Sequence, residues 1–205
     1  LGTSSVADPT QTFAERLSLW MGWTDAISLS AALASRGAMA PAGARSAASS
    51  GVRAVLDEVA QVRLDLSASI TADAAVDTDP AATGAAAYAP YRRRHLAQQR
   101  TMETRIAALR TRVRSALSNH SPELGRLAAL DAVLDKALAA RERHLLSNVP
   151  ALLEQHALRL RKDLSSPPAA WPAVHHKNLQ GALLAELEIR LQPIEGMMEA
   201  LGREA

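Results

Sequence analysis

The chain has no cysteine and only six aromatic residues among 205. The missing thiols exclude disulfides, thiolate nucleophiles and cysteine-based zinc or iron–sulfur sites. They are compatible with a reducing cytoplasm, where the chain is expected. No apolar run approaches the roughly 18 residues that span a bilayer, and residues 1–12 lack the basic start and apolar stretch of a signal peptide. The start at Leu1 instead of Met points to a missing N-terminal piece, with which a targeting segment would also be lost. Rings and β-branched residues favour sheets, and both are scarce. What fills the 48% hydrophobic content is leucine and alanine, the latter roughly a fifth of all residues. Alanine is the best helix former and buries little area, so the composition suits closely packed helices.

Charge is unevenly spread. Eight arginines lie between Arg92 and Arg114 with one acid, Glu103, a balance of +7. The whole chain carries +2, so the rest sums to −5. That asymmetry implies an acidic partner, inside the molecule or outside it. Within the chain, the acidic C-terminal segment with Glu186, Glu188, Glu195, Glu199 and Glu204, and the run Asp73–Asp79, are the expected counterweights. Outside it, a protein, nucleic-acid phosphate or an anionic membrane surface would fit. The low net charge and the few nearby rings, Tyr88 and Tyr91, weigh against nucleic acid. A membrane surface is disfavoured, because the apolar face of this segment is needed for packing.

Periodicity predicts helices throughout. Asp8-Pro9 starts one that carries Phe13, Leu17 and Trp20 and ends at Gly22. Thr24 caps a short second helix with Ile27 and Leu33. Residues 37–51, rich in Ala, Gly and Ser, read as a flexible linker. Val52, Val55, Val59, Val62, Leu66 and Ile70 form a coiled-coil-like seam over 52–70. Residues 71–87 read as a second, acidic and Ala-rich linker. The basic helix follows, with Met102, Ile106, Leu109, Val113 and Leu117 on one line. Ser121 and Pro122 open the next helix, on Leu124, Leu127, Leu130, Leu134, Leu138 and Leu145, and the short break makes the two an αα-hairpin. Asn148 caps a further helix with Leu152, Leu153, His156 and Leu160. Ser165–Pro172 is a break, and a last helix carries Leu179, Leu183, Leu187, Leu191, Ile194, Met198 and Leu201, with a kink expected at Pro193. The expected fold is all-α: an elongated antiparallel bundle of six or seven helices around a long central αα-hairpin. The helical pair 8–36 and residues 88–205 are expected to form one domain. No 20–50-residue repeat suggests a solenoid.

No constellation of catalytic residues is legible. Glu142 and His144, and Glu154 and His156, are two residues apart, which puts them on opposite sides of a helix. His175 and His176 are adjacent and also diverge. Glu-x-x-His, His-Glu-x-x-His and Gly-x-Ser-x-Gly motifs are absent, as is a phosphate-cradling glycine loop. Glu186 and Glu188 read as a solvated face. No enzyme activity, cofactor or metal is expected. The candidate partner-binding residues are Arg92, Arg93, Arg94, Arg100, Arg105, Tyr88 and Tyr91 along the basic helix, and Trp20 and Trp23 at the corner between the first two helices. In an Ala/Leu core the three tryptophans, Trp171 included, would be the large pieces that fix packing. Exposed, Trp20 and Trp23 would form a docking pair for a partner.

Four stretches carry a resemblance: Phe13–Leu33 (FAERLSLWMGWTDAISLSAAL); Tyr88–Arg94 (YAPYRRR); Leu127–Leu134 (LAALDAVL) with Ala140–Arg143 (ARER); and Leu184–Leu187 (LAEL) with Leu191–Gly196 (LQPIEG). From about Asp8 onward the chain resembles an uncharacterised family of Gram-negative bacterial proteins, an all-helical domain of unknown function. Members begin with an additional short helical segment, which fits a truncated start here. The family has no established activity, so the resemblance implies no site residues. Its genes tend to lie beside OmpA-like and motor-stator-like envelope proteins, which implies a cytoplasmic accessory of an envelope complex. The function expected from sequence is therefore a non-enzymatic interaction protein, able to bind another protein or another copy of itself. The alternative is a nucleic-acid-binding protein that uses the basic helix 91–114.

Overall fold

The computed structural model describes residues 21–34, 45–72, 85–162 and 171–204, together with Glu15 and Leu19. These are all-α: α1 (Trp23–Ala34), α2 (Arg45–Thr71), α3 (Ala85–His120), α4 (Pro122–Leu146), α5 (Val149–Lys162) and α6 (Trp171–Glu204). The helix expected over residues 8–21, apart from Glu15, Leu19 and Met21, and residues 165–170 of the expected break lie outside the described residues, as do the acids Asp73, Asp77 and Asp79; Trp171 and Pro172, read as the end of that break, instead open α6.

Each boundary has a local cause. Gly22 is the N-cap of α1. Its carbonyl accepts the Asp25 and Ala26 amides, and its own amide donates to Asp25 Oδ2 at 3.1 Å, the reciprocal half of a capping box. The expected cap at Thr24 thus gives way to one two residues earlier. Ser121 caps α4 as expected: its Oγ accepts the Leu124 amide at 3.2 Å, and Pro122 sits in the first turn where no N–H is needed. Asn148 precedes α5, but its side chain turns back and donates to the His144 carbonyl at the end of α4. α2 begins at Arg45, inside the stretch read as a linker, and α3 begins at Ala85. The α3 extension, residues 85–87, is all alanine, and alanine's helix propensity outweighs its linker-like look; the α2 extension holds two alanines among serines and a glycine. α6 continues through Pro193.

The core lies among α2, α3, α4 and α6. The seam Val52, Val62, Leu66 and Ile70 of α2 packs with Met102, Ile106, Leu109, Val113 and Leu117 of α3, and with Leu179 through Leu201 of α6. Each such leucine or isoleucine contributes about 1.5–3 kcal/mol by leaving water. α4 differs. Leu124 and Ala128 are buried, but Leu127, Leu130, Leu134 and Leu138 are only half-buried and Leu145 is exposed. Its innermost turn carries Asp131, only 8% exposed. Contacts between α3 and α4 run in opposite chain order. Gln99 reaches Leu146, Arg110 reaches Asp131 and Asp135, and a Cβ on Gly125 would stand 3.7 Å from Ser118 Cα.

Candidate functional site

The arginines of α3 divide into two groups. Arg110 donates to Asp131 at 2.9 and 2.6 Å and to Asp135 at 2.9 Å. Arg114 donates to the same two carboxylates at 2.7 and 2.5 Å. Arg105 meets Asp65 of α2 at 2.7 Å, and Arg112 meets Glu58 at 2.9 Å. Burial alone would raise the Asp131 carboxyl, but hydrogen bonds from Arg110 and Arg114 outweigh it and hold the group below its usual range. Hydrogen bonds from Arg105 and then Gln61 lower Asp65. The counterweight is therefore supplied by α2 and α4. The expected source, the C-terminal acids, is engaged elsewhere. Glu188 and Glu195 take Arg63, Glu186 takes Arg190, and Glu199 takes Arg203. Among the described residues, Arg92, Arg93 and Arg100 make no ion pair, and all three are exposed. Arg94 is half-buried, and burial lowers its affinity for the proton.

A second set of polar groups is buried. Glu186, 3% exposed, accepts from Gln99 Nε2 at 2.8 Å and from Arg190 Nε at 2.9 Å. Arg190 Nη1 also reaches Glu142 of α4 at 2.9 Å, and Gln99 Nε2 lies 3.2 Å from the Leu146 carbonyl. Burial by itself would raise Glu186; the hydrogen bonds from Gln99 and Arg190 and the Arg190 charge outweigh it and hold the carboxyl below its usual range. The solvated face expected for Glu186 is thus corrected: the residue ties α3, α4 and α6 together. Its position follows Leu183 by three and Leu179 by seven, which is the core register of α6. His95 and Gln99 likewise extend the α3 seam backwards from Met102.

Beyond His95 the seam becomes aromatic. Tyr88 and Tyr91 are buried, at 2% exposure each, and cannot project from α3 as surface rings. Trp171 lies 5.2 Å from Tyr88 and 6.1 Å from Tyr91, between ring centroids, and His175 lies 4.7 Å from Tyr91, edge-on. Burial, followed by the nearby His156 and His176, pushes the His175 imidazole down to about 4. Tyr91, His95, Glu154 and His175 share the lining of one cavity of about 10 Å3. That is space for one water-sized atom. Tyr88 Oη, both His95 nitrogens and His175 Nδ1 are buried there without a hydrogen-bond partner, and His95 Nε2 stands 3.7 Å from Glu186 Oε2, too far to donate. Among the described residues no three histidine or acidic side chains are grouped to hold a metal ion.

Two apolar surfaces stay open. α1 packs on α4 through its half-buried residues Asp25, Leu29 and Ala32, spaced four and three. Trp23 and Ile27, spaced four, lie on roughly the opposite side at 100° per residue. They are 81% and 55% exposed; Leu33, one turn after Leu29, is 64% exposed. The core role expected of tryptophan thus fails at Trp23, because the α4 contact takes the other face of its helix. Trp20 lies outside the described residues. The second surface is a groove of about 400 Å3 between α3, α4 and α6, with Ile106, Leu138, Leu145, Ile189 and Pro193 along it.

No helix among the described residues is long and apolar enough to cross a membrane. No curated protein and no solved structure matches the chain significantly. The model of one protein family, described as protein of unknown function (DUF3348), matches residues 1–203, and the chain belongs to that family.

Proposed function

We propose that the chain is a non-enzymatic helical interaction protein that docks a protein partner on α1 and on the groove of the α3–α4 pair. The observation that carries this reading is the outward face of α1. A twelve-residue helix is too short to hold itself in water. α4 supports one side, yet the residues on the other side are Trp23 and Ile27. Large exposed tryptophan and isoleucine side chains are what a partner's pocket desolvates. The groove adds apolar floor at Leu145 and Ile189, 51% and 54% exposed.

The same reading takes the architecture as an elongated antiparallel bundle with α3 and α4 as its central αα-hairpin. The reversed order of their contacts supports the hairpin, and 36 residues of α3 extend about 54 Å at 1.5 Å each. A helical rod of this kind offers surface, whereas the cavity where, among the described residues, His95, His175 and Glu154 from separate helices meet has room for a single small atom. Within this reading the partner is a bacterial envelope complex and the chain its cytoplasmic accessory; the gene neighbourhood that the family resemblance implies is the support.

The test compares wild-type protein with Trp23→Ser/Ile27→Ser in affinity capture from the native cell, with sedimentation velocity on both. Trp23 and Ile27 are exposed, so the double variant is expected to keep its melting temperature while its specific partner, or its self-association, is lost. An equal set of partners for both proteins would contradict the reading.

A further inference from the structure

Arg92 and Arg93, exposed and without an ion pair among the described residues, stand at one end of α3, where two other helices add cations. α5 lies along the first turns of α3: Leu153 and Glu154 share a cavity lining with Tyr91 and Arg92, and Ala157 packs on Ala87 and Tyr88. Its last turn carries Arg159, Arg161 and Lys162, all exposed. The Arg161 guanidinium sits 5.7 Å over the ring of Trp171, the first residue of α6. Lys177, also exposed, lies further along that helix. Arg94 is near enough to His176 for its charge, after burial, to disfavour the imidazolium. Arg92, Arg93, Arg159, Arg161, Lys162 and Lys177, six exposed cations from three helices, stand in these turns against one acid, Glu154. Adding Asp73, Asp77, Asp79 and Asp163 from the adjoining sequence makes five acids and still leaves an excess of positive charge.

We infer that this three-helix end binds the phosphodiester backbone of nucleic acid without reading its bases. Guanidinium forks match phosphate oxygens, and phosphate contacts position a nucleic acid without specifying its sequence. Base stacking would need exposed rings, and Tyr88 and Tyr91 are buried under Trp171. That inward turn of the aromatics also disfavours a membrane surface, where tryptophan and its neighbours enter the interface. A protein interface would need an apolar centre, and this array is guanidinium and ammonium. The inference is independent of α1. It also moves the basic surface away from the length of α3, because Arg105, Arg110, Arg112 and Arg114 are already paired.

Fluorescence anisotropy of the full chain with a labelled twenty-base-pair DNA duplex, and with single-stranded RNA of equal length, tests this. Arg92→Glu/Arg93→Glu and Arg159→Glu/Arg161→Glu are measured beside a control, Arg126→Glu/Arg203→Glu, whose arginines are exposed on other parts of the fold. Circular dichroism melts check that each variant is folded. Four or more phosphate contacts predict a loss of about a hundredfold or more in affinity between 50 and 200 mM salt. Each end variant should bind at least about tenfold more weakly and with a shallower salt slope, and the control within about twofold of wild type. Three outcomes would overturn the inference: no binding at 50 mM salt; sensitivity to the α3 pair but not the α5 pair; or no binding to either nucleic acid while vesicles containing phosphatidylglycerol pull the protein down.

Discussion

His175 shows how a single buried residue sets the response of the fold to acid. An imidazole in an unfolded chain takes its proton near pH 6.5, and burial beside Tyr91 and Trp171 pushes this one down to about 4. Between those values the unfolded chain binds more protons than the folded one, so stability falls as pH falls. His176 is lowered too and acts in the same direction. The His175 contribution is intact above pH 6.5, and its loss amounts to about 3 kcal/mol once pH has dropped to 4. Below that, Glu186 and Asp131, whose ordinary values are 4.5 and 3.8, extend the loss, since both are held lower in the fold. Urea unfolding at pH 7 and at pH 4.5 measures the first part. His175→Gln is expected to remove most of the difference between the two, and an unchanged difference would place the acid response elsewhere. None of this was legible from His175 as a residue type. Its spacing of four from both Trp171 and Leu179 was the available signal, and apolar counting passed over it. His95, Gln99 and Glu186 were missed for the same reason: each occupies a core position in its seam, compensated by neighbours on other helices that no single-helix pattern reveals.

At the scale of elements, three seams were legible because leucine, isoleucine, valine and methionine recur at three and four: on α2, α3 and α6 every residue of those seams is buried or half-buried. The Ser121 turn was legible through capping chemistry. Two helix starts were not, since the Ser/Ala/Gly stretch at 45–51 and the alanines at 85–87 serve a helix as readily as a linker. α4 was half legible. Its leucine line was visible, but the pair of arginines that reaches across to Asp131 and Asp135 turns that line partly outward. The Arg110 and Arg114 spacing of four, matched by Asp131 and Asp135, was the trace this left in the sequence. The cross-helix cluster has an asymmetric expectation. The Asp131 side chain is 10% exposed and that of Asp135 36%. Asp131→Asn leaves two arginines with one half-exposed carboxylate and should cost about 2 kcal/mol, whereas Asp135→Asn should cost about 1 kcal/mol or less. Urea unfolding of the two variants, at neutral pH, gives the comparison; equal losses would mean that burial does not set the strength of these pairs.

The whole molecule separates its charge from its apolar surface. Arg105, Arg110, Arg112 and Arg114 of α3 are paired by α2 and α4, the exposed Arg92, Arg93, Arg159 and Arg161 stand where α3, α5 and α6 meet, and the exposed tryptophan stands on α1, which rests on α4. The sequence showed that a basic stretch and a tryptophan corner existed. Which cations stay free depends on cross-helix pairing, and which tryptophan faces outward depends on the side of α1 that α4 occupies, so neither could be read from spacing within one helix. The central claim is that the outward face of α1 is a protein-docking surface. A photo-crosslinking residue placed at Ile27 in the native cell tests it most directly, with the same residue at exposed Arg126 on α4 as the reference. A discrete protein adduct is expected from position 27 and not from position 126. No adduct at position 27, or the same adducts from both positions, would contradict the claim.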